Sequence, residues 1–177
     1  MTESYLKQMQ ETLILKTGGT FSKVYEPLSG ELIVPNCSSI VETIIETAFL
    51  GNGDISIKPI IHKDSLDFTD DDRALLVKEI MAAPQKHILI THGTDTMDLS
   101  ASIITEKAPD KVVVFTGAMK PFSICPIEAT SNLSLAYGFL ASNPKNGIYI
   151  AMNGIVDLAE NVTKDRTNGL FILKDNI

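Results

Sequence analysis

Short apolar runs that alternate with helix-forming segments constrain the fold of this 177-residue chain more than any other feature. The runs predict five strands, at residues 13–15, 55–61, 87–91, 112–115 and 148–151. The segments between them predict helices at about 39–49, 69–81, 95–107 and 127–140. Because each run is apolar along its length, we expect both faces of the sheet to be buried. Strands that alternate with helices predict an α/β fold with right-handed βαβ units and a parallel sheet.

The composition excludes several classes of function. Hydrophobic residues make up 44% of the chain, which is enough for a packed core in one domain over residues 1–177. A net charge of −7 without a basic run argues against nucleic acid as a partner. No apolar stretch approaches the roughly 18 residues of a membrane span, so we expect no membrane partner. The N-terminus lacks the apolar core of a secretion signal, and we therefore expect a cytoplasmic protein.

Cysteine and histidine are too few for a disulfide framework or a metal centre. The two cysteines, Cys37 and Cys125, are expected to be reduced thiols. The three histidines (His62, His87 and His92) show no metal-ligand spacing, so we expect no bound metal.

Capping residues mark the starts of two predicted helices. Ser39 and Glu42 have the spacing of a capping box, and Thr69 is placed to cap the second helix. The acidic run at residues 70–72 suits the positive end of a helix dipole, which favours a structural role over a metal site.

Two segments do not fit the alternation. Residues 20–36 form a connection long enough to act as a lid over a site. Residues 153–177 are predicted to be an irregular tail, apart from a short strand at 170–173.

Threonine and glycine follow two of the predicted strands where each one ends. Thr17-Gly18-Gly19-Thr20 follows the first strand, and Thr91-His92-Gly93-Thr94-Asp95-Thr96 follows the third. Such turns expose hydroxyls and backbone N–H groups at the carboxyl ends of parallel strands, where ligands bind. Together they would supply a nucleophile, oxyanion donors and a carboxylate, the groups that amide hydrolysis requires. Taken alone, the first motif is also compatible with a phosphate or flavin site of flavodoxin type, or with a plain tight turn.

The second motif is the more specific of the two. Thr94 offers a hydroxyl, and Asp95 offers a carboxylate that can either cap the following helix or bind a substrate ammonium. A helix that begins here would direct its N–H groups toward the cleft. We expect His92 to be a structural hydrogen-bonding group rather than a base.

With these two threonine motifs, the chain resembles the bacterial-type L-asparaginase family. The matching motifs occur in the family's order over almost the whole chain: Thr17–Thr20, Tyr25–Gly30, Asp64–Asp67, Thr91–Met97, Gly117–Pro121 and Asn161–Lys164. The two threonine motifs together are highly specific, and Tyr25–Gly30 looks closest to the cytoplasmic subgroup. The resemblance implies a doubly wound α/β domain with helices on both faces of the sheet.

The resemblance also implies catalytic roles. Thr20 would be the nucleophile of a covalent mechanism, and Tyr25 on the lid would help to activate it. Thr94, Lys164 and Asp95 would form a second group that passes protons, since a buried lysine with a lowered pKa can act as a base. The backbone N–H of Thr94 is the expected oxyanion donor. We expect these side chains to meet in one cleft, with Lys164 in reach of Thr94.

Further residues would bind substrate in the same resemblance. Ser65 would hold the α-carboxylate and Asp95 the α-ammonium, with Gly19 and Gly93 also in contact with substrate. Leu66 stands where secreted members usually carry a glutamine, and it offers no hydrogen bond. This departure leaves open which amide is the substrate.

The leading hypothesis is an amidohydrolase that converts L-asparagine and water to L-aspartate and ammonia without a cofactor. The alternatives are an asparagine- or aspartate-binding module with little turnover, and a subunit of a tRNA-linked amidotransferase. The family's smaller C-terminal domain is expected to be absent, so we expect a homo-oligomer, most simply a dimer, to cover the surface that it would bury. We also expect the lid at residues 21–30 to be mobile without ligand.

Overall fold

A six-stranded, mostly parallel sheet organises the part of the chain that a computed structural model describes, residues 11–49, 54–107 and 109–174. The strands in chain order are β1 (Thr12–Gly18), β2 (Val24–Glu26), β3 (Glu31–Ile33), β4 (Ile55–Lys63), β5 (His87–Thr91), β6 (Val112–Thr116), β7 (Gly147–Met152), β8 (Ile155–Leu158), β9 (Val162–Asp165) and β10 (Leu170–Leu173). The sheet has the order β4-β1-β5-β6-β7-β8, and β8 alone runs antiparallel to its neighbour. β2 pairs with β3 and β9 pairs with β10 in two small antiparallel hairpins.

Four helices cover both faces of this sheet. In chain order they are α1 (Ile40–Ala48), α2 (Asp70–Ala82), α3 (Met97–Glu106) and α4 (Pro126–Ala141). α1 and α4 share a hydrophobic cluster on one face, and α2 and α3 share a cluster on the other. The predicted doubly wound α/β fold is therefore confirmed. Among the described residues, no helix is both long and apolar enough to cross a membrane.

Burial on both faces accounts for the apolar character of the central strands. Every residue of β1, β5 and β6 is buried. In β5, Ile88 and Ile90 pack toward α2 and α3, whereas Leu89 between them packs toward α1 and α4. A strand whose side chains contact helices on alternate sides has no solvent face, so the sequence shows no polar alternation.

One crossover differs in hand from the other three. The chain moves in the same direction across the sheet from β5 to β6 and from β6 to β7, yet α3 and α4 lie on opposite faces. These two crossovers must have opposite hands, so the prediction of right-handed units throughout is wrong. The placement of α4 brings Asn132 beneath the loop after β6, where its Nδ2 donates to the Gly117 carbonyl at 2.9 Å. Its Oδ1 accepts from the N–H of Asn153 at 3.1 Å, which joins that loop to the end of β7.

The prediction of an irregular tail over residues 153–177 is wrong, although its short strand at 170–173 is confirmed. β8, β9 and β10 occupy most of the tail up to residue 174, and residues 175–177 lie outside the described range. These strands have four residues each and mix polar with apolar side chains, so their sequence pattern is weak. Contacts from elsewhere stabilise them: Asn153 Oδ1 accepts from the N–H of Phe171 at 3.0 Å.

The predicted caps divide into one success and one failure. Thr69 and Asp72 form a complete capping box at the start of α2. Ser39 precedes α1 without a side-chain cap, because Glu42 instead binds the buried Lys16, with Oε1 2.5 Å from Nζ. The long connection after β1 contains the β2–β3 hairpin.

The core packing of β5 gives the first prediction. Leu89→Ala should lower the free energy of unfolding by about 2–5 kcal/mol, since it leaves a cavity among fully buried neighbours. Leu28→Ala is the matched control, because Leu28 is 96% exposed and should change stability by less than about 0.5 kcal/mol. Urea denaturation of both variants measures the difference. Equal losses would contradict the position assigned to Leu89.

Candidate active site

The turns after β1 and β5 lie in direct backbone contact. The two strands are paired in parallel, and Thr17 Oγ1 donates to the Thr91 carbonyl at 2.9 Å. Gly19 has φ 71° and ψ −174°, a conformation that is essentially restricted to glycine. A Cβ atom on Gly19 would lie 2.4 Å from Gly93 Cα, so this approach requires glycine.

Ser65 forms the third side of this contact. It begins the short 3-10 turn Ser65–Asp67 that follows β4, and a Cβ atom on Gly93 would lie 2.5 Å from its Oγ. The side chain is fully buried, and its Oγ has no hydrogen-bond partner among the described residues. Its carbonyl is held by Thr96 Oγ1 at 2.8 Å. A buried hydroxyl without a partner is well suited to bind a ligand atom.

Lys164 links the site to the β9–β10 hairpin. Its Nζ lies 2.8 Å from Thr94 Oγ1 and 2.8 Å from Asp95 Oδ1. Thr94 is buried, and the side chain of Lys164 is only 12% exposed. The structure thus brings together the hydroxyl, amine and carboxylate that the sequence placed 70 residues apart along the chain.

Arg166 also binds Asp95, and this contact is absent from the sequence-based prediction. One guanidinium nitrogen lies 3.0 Å from Asp95 Oδ1, and the other lies 2.8 Å from the Asp95 carbonyl oxygen. Hydrogen bonds from Lys164, with further contributions from Arg166, outweigh partial burial and hold the pKa of Asp95 below its usual value. Asp95 is therefore a carboxylate at neutral pH. The sequence signal that could have indicated this contact is the position of Arg166 two residues after Lys164, since both belong to the β9–β10 hairpin.

A second ion pair lies beside the first. Lys23 Nζ is 2.6 Å from Asp64 Oδ2, while Asp64 Oδ1 accepts from the N–H of Leu66 at 3.2 Å. Burial opposes ionisation of Asp64, but these two contacts outweigh it and hold its pKa below the usual value. The negative charge of Asp95 also acts on Asp64, which places both carboxylates in one electrostatic environment.

His92 is a structural residue, as predicted. Its ring lies between the rings of Phe68 and Phe115, with centroid distances of 4.9 and 5.5 Å. Its Nδ1 is 2.7 Å from the Gly93 carbonyl oxygen, so Nδ1 carries the proton of the neutral ring. Burial lowers the pKa of His92 to about 4, which keeps the ring neutral under physiological conditions.

Arg73 supports the site from α2 and was also missed by the sequence-based prediction. This buried side chain donates to the Phe68 carbonyl at 3.0 Å and to Thr96 Oγ1 at 3.3 Å. Because Thr96 in turn holds the Ser65 carbonyl, Arg73 fixes the turn that carries the unpartnered hydroxyl.

The side chains of three predicted site residues lie outside this hydrogen-bond network. Thr20 follows Gly19 at the start of the 3-10 turn Thr20–Ser22, half-buried, and its hydroxyl makes no hydrogen bond within the described residues. Tyr25 on β2 is 63% exposed and likewise makes no side-chain hydrogen bond. The Leu66 side chain is exposed. Thr20 is thus beside the glycine contact, whereas the structure does not bring the Tyr25 hydroxyl to it.

Thiols and carboxylates are common metal ligands in proteins. Cys37 and Cys125 are both free. Over residues 11–49, 54–107 and 109–174, no three His, Cys, Asp or Glu side chains are grouped so as to hold a metal ion.

The neutral His92 ring gives a second prediction. An unfolded chain binds a proton at this residue below its ordinary pKa of 6.5, whereas the folded chain does not until about pH 4. The native state therefore loses up to roughly 3 kcal/mol from this group as the pH falls through that window. Asp64 and Asp95 act in the same direction, so the comparison needs a variant.

His92→Asn removes the titration while Asn Nδ2 can still donate to the Gly93 carbonyl. Urea denaturation at several pH values should give a shallower fall in unfolding free energy for the variant than for the wild type. Identical slopes between pH 6.5 and pH 4 would show that His92 is not held neutral.

Comparison with known proteins places this geometry in a family. The family model described as "Asparaginase, N-terminal" matches residues 11–175. The "Probable L-asparaginase periplasmic" of Haemophilus influenzae is 31% identical over 171 residues, which cover 89% of this chain and 47% of that protein.

Solved structures agree with this match. "The thermostable L-asparaginase from Thermococcus kodakarensis" superposes with a TM-score of 0.77 at 28% identity, covering 92% of this chain and 51% of that one. The "Probable Cytoplasmic L-asparaginase from Campylobacter jejuni" gives a TM-score of 0.77 at 27% identity, covering 94% and 53%. The chain spans about half the length of the curated relatives it matches. Its matched residues and its fold show that the chain belongs to the asparaginase family, over the N-terminal domain of that family.

Proposed function

We propose that the chain hydrolyses the side-chain amide of L-asparagine to give L-aspartate and ammonia. The observation that carries this proposal is the position of Lys164 Nζ, which lies 2.8 Å from both Thr94 Oγ1 and Asp95 Oδ1. If Lys164 served only as a structural ion pair, its contact with the Asp95 carboxylate would be sufficient. The contact with the Thr94 hydroxyl adds a proton path at the carboxyl ends of the strands, where α/β sheets bind ligands.

Thr20 is the proposed nucleophile. Its Oγ attacks the amide carbon and forms an ester as the C–N bond breaks, and ammonia leaves with the hydroxyl proton. Water then splits the ester and restores the Thr20 hydroxyl. Thr94 Oγ takes up the proton of that water while its own proton passes to Lys164 Nζ, which gives one of its protons to Asp95, and the protons then return by the same path. The backbone N–H of Thr94 stabilises the oxyanion. The support from the structure is that Thr20 adjoins Gly19, whose backbone contacts Gly93.

Substrate binding is proposed to use one hydroxyl and one carboxylate of the site. Ser65 Oγ is buried and has no hydrogen-bond partner in the part of the chain that the structure describes, and it is proposed to hold the α-carboxylate. Asp95 is ionised and is proposed to face the α-ammonium. Tyr25 would act on Thr20 only after its hairpin moves inward, because its side chain is exposed in this structure.

A binding module with little turnover is the second candidate. The exposed position of Tyr25 favours it, since the proposed activating hydroxyl makes no hydrogen bond to Thr20 among the described residues. Ammonia release from asparagine separates the two candidates. A thermal shift with asparagine or aspartate in the absence of ammonia release would support the binding module.

Assembly and location are also proposals. Large apolar side chains, among them Leu28, Ile124 and Ile127, are exposed, and a homodimer would bury such groups. A cytoplasmic location is proposed from the Tyr25–Gly30 motif. The comparisons include both a protein titled cytoplasmic and one titled periplasmic.

The role of Thr20 gives a third prediction. Thr20→Ala should fold normally and lose ammonia release by on the order of 10³-fold, because it removes the attacking oxygen without creating a buried cavity. Thr47→Ala is the matched control: it removes an exposed hydroxyl on α1 that bonds only to the Thr43 carbonyl. Near-normal ammonia release by Thr20→Ala would rule out the nucleophile assignment.

The role of Lys164 gives a fourth prediction. Lys164→Met should reduce kcat by on the order of 10³-fold, since methionine keeps the length of the side chain but cannot move a proton. Lys58→Met is the control, because Lys58 forms a surface pair with Glu79 at 2.6 Å. Steady-state assays should show the loss in the first variant only. Equal kcat values for both variants would contradict the proton path.

A further inference from the structure

Arg166 alters the group that is proposed to bind the substrate ammonium. We infer that Arg166 determines substrate specificity. Its guanidinium occupies part of the Asp95 carboxylate that the α-ammonium of a substrate would otherwise bind. The site then accepts side-chain amides of dicarboxylates that lack an α-ammonium at least as well as it accepts L-asparagine. This inference rests on the proposed amide hydrolysis and extends it to a substrate class.

Arg166 makes contacts with Asp95 of the kind that a ligand cation would make. The guanidinium spans Asp95, with 3.0 Å to Oδ1 and 2.8 Å to the backbone carbonyl oxygen. Oδ1 also accepts from Lys164 at 2.8 Å. Two cations therefore share one carboxylate oxygen before any substrate arrives, and charge-assisted bonds of this kind are the stronger ones.

The backbone that carries Arg166 is held in place. Asp165 Oδ1 accepts from the N–H groups of Thr167 at 2.9 Å and Asn168 at 3.1 Å. The N–H of Gly169, which has φ 67°, donates to the Asp165 carbonyl at 2.9 Å and closes the turn. Arg166 thus extends from a closed turn whose next strand is paired with β9, so the fold places its backbone within reach of Asp95.

The surrounding charges point the same way. Three ion pairs of the site contain three cations (Lys23, Lys164 and Arg166) and two carboxylates (Asp64 and Asp95). A ligand ammonium would bring a further cation to a carboxylate that already has two. A dicarboxylate half-amide without that ammonium avoids the repulsion and keeps its own carboxylate for Ser65 Oγ.

The test compares L-asparagine with succinamate, which is asparagine without its amino group, in ammonia-release assays. Wild-type protein should give a kcat/KM for succinamate that equals or exceeds that for asparagine. Arg166→Gln should shift the ratio toward asparagine by about fivefold or more, since it frees the carboxylate. Lys86→Gln is the matched control, because Lys86 pairs with Asp110 at the surface and is 59% exposed, close to the 63% of Arg166. It should leave the ratio unchanged.

Binding separates this inference from the proposed reaction. Calorimetry with succinate and L-aspartate should show succinate bound at least as tightly by the wild type, with the preference moving to aspartate in Arg166→Gln. A clear wild-type preference for the ammonium-bearing ligands, or a ratio that Arg166→Gln does not change, would overturn the role of Arg166. Absence of ammonia release from both amides would overturn the proposed reaction, while the calorimetric preference would still decide the role of Arg166.

Discussion

The backbone contact between Gly19 and Gly93 is the constraint on which the rest of the site depends. Parallel pairing of β1 with β5 brings the two turns side by side, and the absence of Cβ atoms lets them approach to a distance that any other residue would prevent. Ser65 packs against the same point from the turn after β4. Thr20 and Thr94 each follow one of these glycines, so the contact between the glycines positions both hydroxyl residues.

Charge is added to this centre from a distant part of the chain. Lys164 and Arg166 reach Asp95 from the β9–β10 hairpin, which is tied to β7 through Asn153. A buried hydroxyl, an amine and a carboxylate in contact favour proton transfer, and a second cation on the same carboxylate favours a change in what it binds. The β9–β10 hairpin is therefore proposed to contribute both to the reaction and to its selectivity.

Apolar runs and strand-end turns predicted the parallel sheet and its helices, because they are local patterns with a direct structural meaning. The meeting of Lys164 with Thr94 was predicted from the resemblance to the asparaginase family. Local patterns failed where distant contacts decide the outcome. The short polar β9 forms because β10 pairs with it. Glu42 does not complete the predicted capping box, because it pairs with the buried Lys16. Arg166 was missed for the same reason: its contact with Asp95 joins residues that are 71 positions apart. The hand of the α4 crossover could not be read from periodicity at all.

In the proposed reaction, Thr20 attacks the amide while Thr94 and Lys164 serve the later water step. Mixing the Lys164→Met variant with excess amide substrate, quenching with acid and mapping the modified peptide by mass spectrometry tests this order. Slow hydrolysis should let the ester accumulate with the acyl group on Thr20. An acyl group on Thr94 instead would rule out this assignment, because it would exchange the roles of the two threonines.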